Sequence, residues 1–143
     1  MTTQLYYEDV EVGKEIPPLR REASKRLSAR WAGVCGDYDE YHYDDTIAHE
    51  RGFPGAIVNG KFLAACLTQM MTSWIGERGW LKKIACQYRR FHPNGESLIC
   101  KGSVVNKFVT DAEHLVECEI WIEGPAGERR TLGSATVRLP SKG

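Results

Sequence analysis

The chain has 143 residues, 42% of them hydrophobic and 27% charged, a size and balance suited to a globular domain with a substantial core. Its 19 basic and 19 acidic side chains cancel, so the charge gives no reason to expect nucleic acid, which selects a basic surplus. No stretch approaches the roughly 18 apolar residues of a membrane span, and the opening MTTQLYYEDVEVGKEI has no apolar run of the signal-peptide kind.

In chain order, Pro17-Pro18 breaks any early helix and predicts an irregular or extended lead-in. Ser28 is placed to cap a short helix over residues 29–34 that stops near Gly36. A turn-rich acidic stretch follows from Asp37 to Asp45, then a single helical turn through Ala48, and Gly52-Phe53-Pro54-Gly55 reads as a loop. The clearest helix runs from Gly60 to Ile75. Leu63, Leu67, Met70, Met71 and Trp74 recur at helical spacing, and Phe62, Ala64, Ala65 and Cys66 widen the stripe. A helix this apolar has to be enclosed by the rest of the fold.

After Gly79 the pattern changes to strands, over residues 81–91 and 98–109. Next, Val116, Cys118, Ile120 and Ile122 alternate with Glu117, Glu119, Trp121 and Glu123. A last strand follows Gly124-Pro125-Ala126-Gly127, with Ala135, Val137 and Leu139 on one face. One long buried helix followed by consecutive antiparallel strands predicts an α+β fold, the sheet wrapped around the helix, as a single domain over residues 1–143. The five cysteines are odd in number and lack CxxC spacing. Cys66, Cys100 and Cys118 lie in apolar runs and read as small buried hydrophobes, which places the chain in a reducing, cytoplasmic setting.

Residues 37–45 crowd five carboxylates and one imidazole into nine positions. A solvated acidic turn is one reading. A calcium loop would need Asp or Asn at its fifth position and Gly at its sixth, where Tyr41 and His42 stand. Zinc on a helix would need His at i and i+4, whereas His42 and His49 are seven apart. No metal is expected. Acid–base catalysis is the remaining reading, since Asp37 and His42 across a turn can converge on one water. Downstream, Gly52 to Gly60 leads straight into the buried helix, whose first N–H groups and dipole could stabilise an oxyanion.

With acid, His and glycine-opened helix in this order, the chain resembles the MaoC-like (R)-specific enoyl-CoA hydratases of the hot-dog fold. Gly36, Asp37, His42 and Asp44 fit that family's Gly-Asp-x-Asn-Pro-x-His-x-Asp, and Phe53, Gly55, Ile57 and Gly60 fit its Phe-Gly loop and Ile-x-His-Gly. Arg90-Phe91-His92-Pro93-Asn94-Gly95-Glu96-Ser97 is similar to a shortened form of its later turn. Asp39 replaces the usual Asn, Glu40 the Pro, and Asn59 the His. The extra carboxylate is expected to raise the less solvated acid and favour a protonated His42.

The resemblance implies hydration of a trans-2-enoyl-CoA to the (R)-3-hydroxyacyl-CoA, or the reverse dehydration. Asp37, His42 and Gly60 would be catalytic, with Asn59, Phe53 and Arg90 at the substrate and no cofactor beyond the coenzyme A of the substrate itself. It also implies a homodimer or higher hot-dog oligomer, homomeric or heteromeric. Two alternatives stand beside it: a non-catalytic subunit of a heteromeric hydratase, and a hot-dog thioesterase. The thioesterase commonly carries its acid on the central helix, where residues 61–75 have none. Among lesser candidates, Lys82, Lys83, Arg89 and Arg90 could meet phosphates. His49, His92 and His114 read as surface or turn residues, and the four tryptophans as core or dimer contacts.

Overall fold

The computed structural model describes residues 3–143. Its strands are β1 (Glu15–Arg21), β2 (Trp80–Tyr88), β3 (Leu98–Thr110), β4 (Glu113–Glu123) and β5 (Arg129–Arg138). Its helices are α1 (Lys25–Cys35), α2 (Asp45–Glu50) and α3 (Gly60–Ile75), with 3-10 turns at Tyr7–Asp9 and Glu40–His42. The five strands form one antiparallel sheet in the order β1-β3-β4-β5-β2. The longest pair, β3 and β4, is joined at Asp111-Ala112, both with positive φ, the backbone hand that fits a tight hairpin.

The expected α3 appears with the expected bounds, because cap, propensity and apolar stripe all agree there. Leu63, Cys66, Leu67, Met70, Met71 and Ile75 are buried on it. They share one core with Leu98, Cys100 and Val104 of β3, Val116, Cys118, Ile120 and Ile122 of β4, and Val137 of β5. Leu67 and Met71 are fully buried, each such side chain stabilising the fold by roughly 1.5–3 kcal/mol. The result is the α+β hot-dog arrangement, a sheet packed along a central helix. Cys66, Cys100 and Cys118 are buried in it as small apolar side chains, while Cys35 and Cys86 are partly exposed.

Two local expectations need correction, and a third is made definite. The first helix begins at Lys25, four residues earlier than expected: Ser24, not Ser28, is its cap, accepting from the Leu27 N–H at 3.1 Å. Lys25, Arg26 and Leu27 are good helix formers, so the earlier cap wins, and Ser28 instead donates to Asn94 Oδ1 at 3.0 Å. The lead-in with Pro17-Pro18 is extended, as one of its two expected forms, and is a strand, β1, paired to β3 on one side with a register shift between Ile16 and Leu19. An outer strand tolerates residues without an N–H. The strand predicted through Phe91 stops at Tyr88, because the Arg89 and Arg90 N–H groups both turn to the Arg130 carbonyl, at 2.9 and 3.0 Å.

Candidate active site

α1 ends at Gly36, whose φ of 75° lies in the left-handed region that an L side chain resists. That turn delivers Asp37 into the acidic stretch, where the carboxylates are kept apart by separate partners. Asp37 Oδ1 accepts from the Asp39 N–H at 3.2 Å. Asp39 pairs with Arg51 at 2.7 Å. Asp44 caps α2, accepting from the Thr46 N–H at 2.9 Å. Asp45 accepts from Lys25 and from the Ala56 N–H. Glu40 is left to solvent.

His42 is 5% exposed and held from both sides. Its own carbonyl accepts from Asn94 Nδ2 at 2.8 Å, and its ring Nδ1 lies 2.9 Å from the Ile57 carbonyl. A carbonyl only accepts, so Nδ1 carries the hydrogen, and in the neutral form of the ring Nε2 is the bare acceptor. That Nε2 faces Asp37 Oδ2 at 4.0 Å, too far for a direct hydrogen bond. The Asp37 carboxyl is held below the usual carboxylate range, first by the Asp39 N–H and then by the Asn59 amide. The raised acid expected from the extra carboxylate is not found at Asp37. Asp39 turns its charge to Arg51 and offers Asp37 only its N–H.

Asn59 opens α3 and is 4% exposed. Its Oδ1 accepts from the Lys61 N–H at 2.7 Å while its Nδ2 donates to Asp37 Oδ2 at 2.9 Å. The Gly60 N–H, one of the first-turn donors a helix cannot satisfy internally, has no hydrogen-bond partner among the described residues. A Cβ on Gly60 would meet the Tyr88 ring at 3.0 Å. Tyr88 also donates its hydroxyl to the Gly60 carbonyl at 2.6 Å. Glycine here therefore admits an aromatic side chain of β2 against the start of α3.

Asp37, His42, Asn59 and Gly60 thus come together as one site. Phe53 stands one layer away, stacked on Tyr41 with ring centroids 5.3 Å apart and edge-on to Phe91. Tyr41 in turn contacts the His42 ring. Arg90 is exposed on a separate open cleft of about 530 Å³, lined by Tyr88, Arg89, Phe91, Pro93, Glu128 and Arg130. Tyr88 belongs to both places, bridging the cleft wall to Gly60. Of the lysines, Lys82 pairs with Glu113.

Several supporting residues carried little sequence signal. His92, expected at a surface or turn, is in a turn but buried at 1% exposure. Its Nδ1 accepts from Arg130, its Nε2 donates to the Glu96 carbonyl, and burial pushes its pKa down. The His92 carbonyl accepts from the Val58 N–H, so this turn braces the approach to α3. Asn94 joins Ser28, Ala56 and His42. Trp121 is buried, whereas Trp80 is 61% exposed at the start of β2. Among the described residues, no three His, Cys, Asp or Glu side chains gather as a metal site requires. None of their helices is long and apolar enough to cross a membrane.

Residues 9–120 match the family described as MaoC like domain. The chain belongs to that family. Solved structures share its fold at low identity. The (R)-hydratase from A. caviae involved in PHA biosynthesis superposes with a TM-score of 0.83 at 19% identity, over 93% of this chain and 99% of that one. For the unliganded R-hydratase PhaJ1 from Pseudomonas aeruginosa the TM-score is 0.86 at 21% identity, over 97% and 88%. For the ChsH1-ChsH2 complex from Mycobacterium tuberculosis it is 0.79 at 18%, over 90% and 98%. No curated protein matches the sequence. In this MaoC-like domain the acid, the imidazole and the glycine-opened helix named by the sequence resemblance lie side by side.

Proposed function

We propose that this MaoC-like domain adds water across the double bond of a trans-2-enoyl-CoA to give the (R)-3-hydroxyacyl-CoA, and catalyses the reverse dehydration. The observation that carries the reading is the facing pair of acceptors, Asp37 Oδ2 and the bare Nε2 of His42, 4.0 Å apart. A water between them donates one hydrogen to each and keeps a lone pair for carbon 3 of the substrate. As the new C–O bond forms, one acceptor takes the water's proton. The double-bond electrons pass through carbon 2 to the thioester oxygen, and a proton is then delivered to carbon 2. The Gly60 N–H, unpaired among the described residues and at the positive end of α3, suits the transient oxyanion.

Family membership supports hydratase or dehydratase chemistry in general; the thioester substrate, the stereochemistry and the residue roles are the proposal. So are a soluble cytoplasmic setting and a dimeric or higher hot-dog assembly. Incubating the purified chain with crotonyl-CoA and with longer or cyclic enoyl-CoAs tests it, mass spectrometry separating water gained from CoA released. Gain of one water supports the proposal. Release of free CoA would make the chain a thioesterase. Turnover only after addition of a second hot-dog subunit would make it one half of a heteromer, an assembly type that the ChsH1-ChsH2 complex exemplifies among the structural neighbours.

A further inference from the structure

The Asn59 amide makes two bonds to two different parts of the site. Oδ1 is committed to the α3 N-terminus through the Lys61 N–H at 2.7 Å, and Nδ2 to Asp37 Oδ2 at 2.9 Å. The side chain has little freedom to do otherwise, being 4% exposed beside Ala23, Leu27, Trp31 and Phe62. Asp37 Oδ2 is also the oxygen that faces His42. The other oxygen is fixed by the Asp39 N–H at 3.2 Å. With one donor on each oxygen, the carboxylate plane is set, and the Asn59 bond decides where Oδ2 sits relative to both Nε2 and Gly60.

We infer that Asn59 is the positioning residue of this site, tying the carboxylate that helps hold the attacking water to the helix end that receives the negative charge. This rests on the water-addition reading above. The charged and titratable groups around Asp37 are few. His42 faces it from the 3-10 turn. Asp39 and Tyr41 lie on the same turn, with Asp39 engaged by Arg51 from the end of α2, and Lys61 approaches from α3. Only Asn59 gives its carboxylate a side-chain hydrogen bond among the described residues. The amide favours the ionised carboxylate, and a neighbour that accepts but does not donate would not.

The test separates the two bonds. Asn59→Ser keeps an oxygen that can cap α3 but loses the longer amide N–H that reaches Asp37; Asn59→Asp keeps the cap and adds a like charge. Both are expected to melt near the wild-type temperature. Carbon-detected NMR titration of the Asp37 carboxyl is expected to move to higher pH in Asn59→Ser and further in Asn59→Asp. Turnover of an enoyl-CoA should fall about 10-fold or more in kcat with KM little changed, the signature of a contact that matters in the transition state. An Asp37 titration identical in wild type and both variants overturns the inference, as does a loss confined to KM. If no enoyl-CoA is turned over by the wild type, the water-addition reading fails by itself, while the titration still decides whether Asn59 governs Asp37.

Discussion

One carbonyl determines what His42 can do. Because the Ile57 oxygen takes the Nδ1 hydrogen at 2.9 Å, the other nitrogen is free to accept, and it points at Asp37 rather than into the core. Replacing His42 by Ala removes that acceptor, and Asp37→Asn keeps the shape of the carboxylate but not its basicity. Each is expected to lower kcat/KM by roughly 10²–10⁴-fold, the usual worth of a positioned proton acceptor, measured as the initial rate of crotonyl-CoA hydration. At this scale the sequence shows which residue types are present and how they are spaced, and Asp37 and His42 stand out on both counts. The tautomer, the Arg51 partner of Asp39 and the Asn59 bridge depend on contacts 12 to 22 residues apart in the chain. A single-sequence reading of the acidic turn therefore leaves its carboxylates repelling one another. Asn59 did carry a local signal, an Asn directly before an apolar periodic run, which is what a helix cap looks like.

The element that organises the site is α3, and its two ends depend on different forces. In its body, Leu67 is fully buried against the sheet. Leu67→Ala is expected to cost about 2–5 kcal/mol, the range for deleting a large core side chain, readable in a denaturant melt. At its start, the Tyr88 ring would crowd a side chain on Gly60, a Cβ there lying 3.0 Å from the ring. Gly60→Ala is expected to push the ring away, weaken the hydroxyl bond to the Gly60 carbonyl and lower kcat about 10-fold with a small loss of stability. The check is steady-state kinetics beside a thermal melt. α3 was legible to the residue because pattern, propensity and cap coincide. The start of α1 was not, since Ser24 and Ser28 both qualify as caps and only the pairing of Ser28 with Asn94 separates them. Nor could the end of β2 be read, because the carbonyl that draws Arg89 and Arg90 off the ladder belongs to β5.

For the whole molecule, acid is the condition to which stability should be most sensitive. Asp9, Asp45, Glu113 and Glu123 are all held below the ordinary carboxylate range, chiefly by hydrogen bonds from Lys142, Lys25, Lys82 and Trp121 respectively. Each such group binds protons more weakly when folded than when unfolded. Its stabilisation is complete above the unfolded value, about 4, and disappears as pH falls through the lower folded value. Buried His92 acts in the same direction at higher pH: its folded pKa is depressed, so stability begins to fall below the unfolded value of about 6.5. The expected outcome is a melting temperature that is level near neutrality, declines gently below about pH 6.5 and steeply below about pH 4. Calorimetric melts across that range check it, and His92→Gln should flatten the first decline.

The α+β class and the central helix were readable from apolar period alone. The order of strands was not, because it depends on β1 and β2, which are far apart in sequence and lie at opposite margins of the sheet. Those margins are unequal. β1 carries Pro17-Pro18, two consecutive residues with no N–H to offer a newcomer, while β2 runs for nine residues without a proline. A ribbon of copies would need both sides receptive. Here one side is interrupted by proline, so a second copy that zipped along β2 would turn its own proline-bearing edge outward, where further pairing is disfavoured. The prolines that merely interrupt a strand within one chain would then act, in a crowd of such chains, as the stop that keeps association from becoming aggregation.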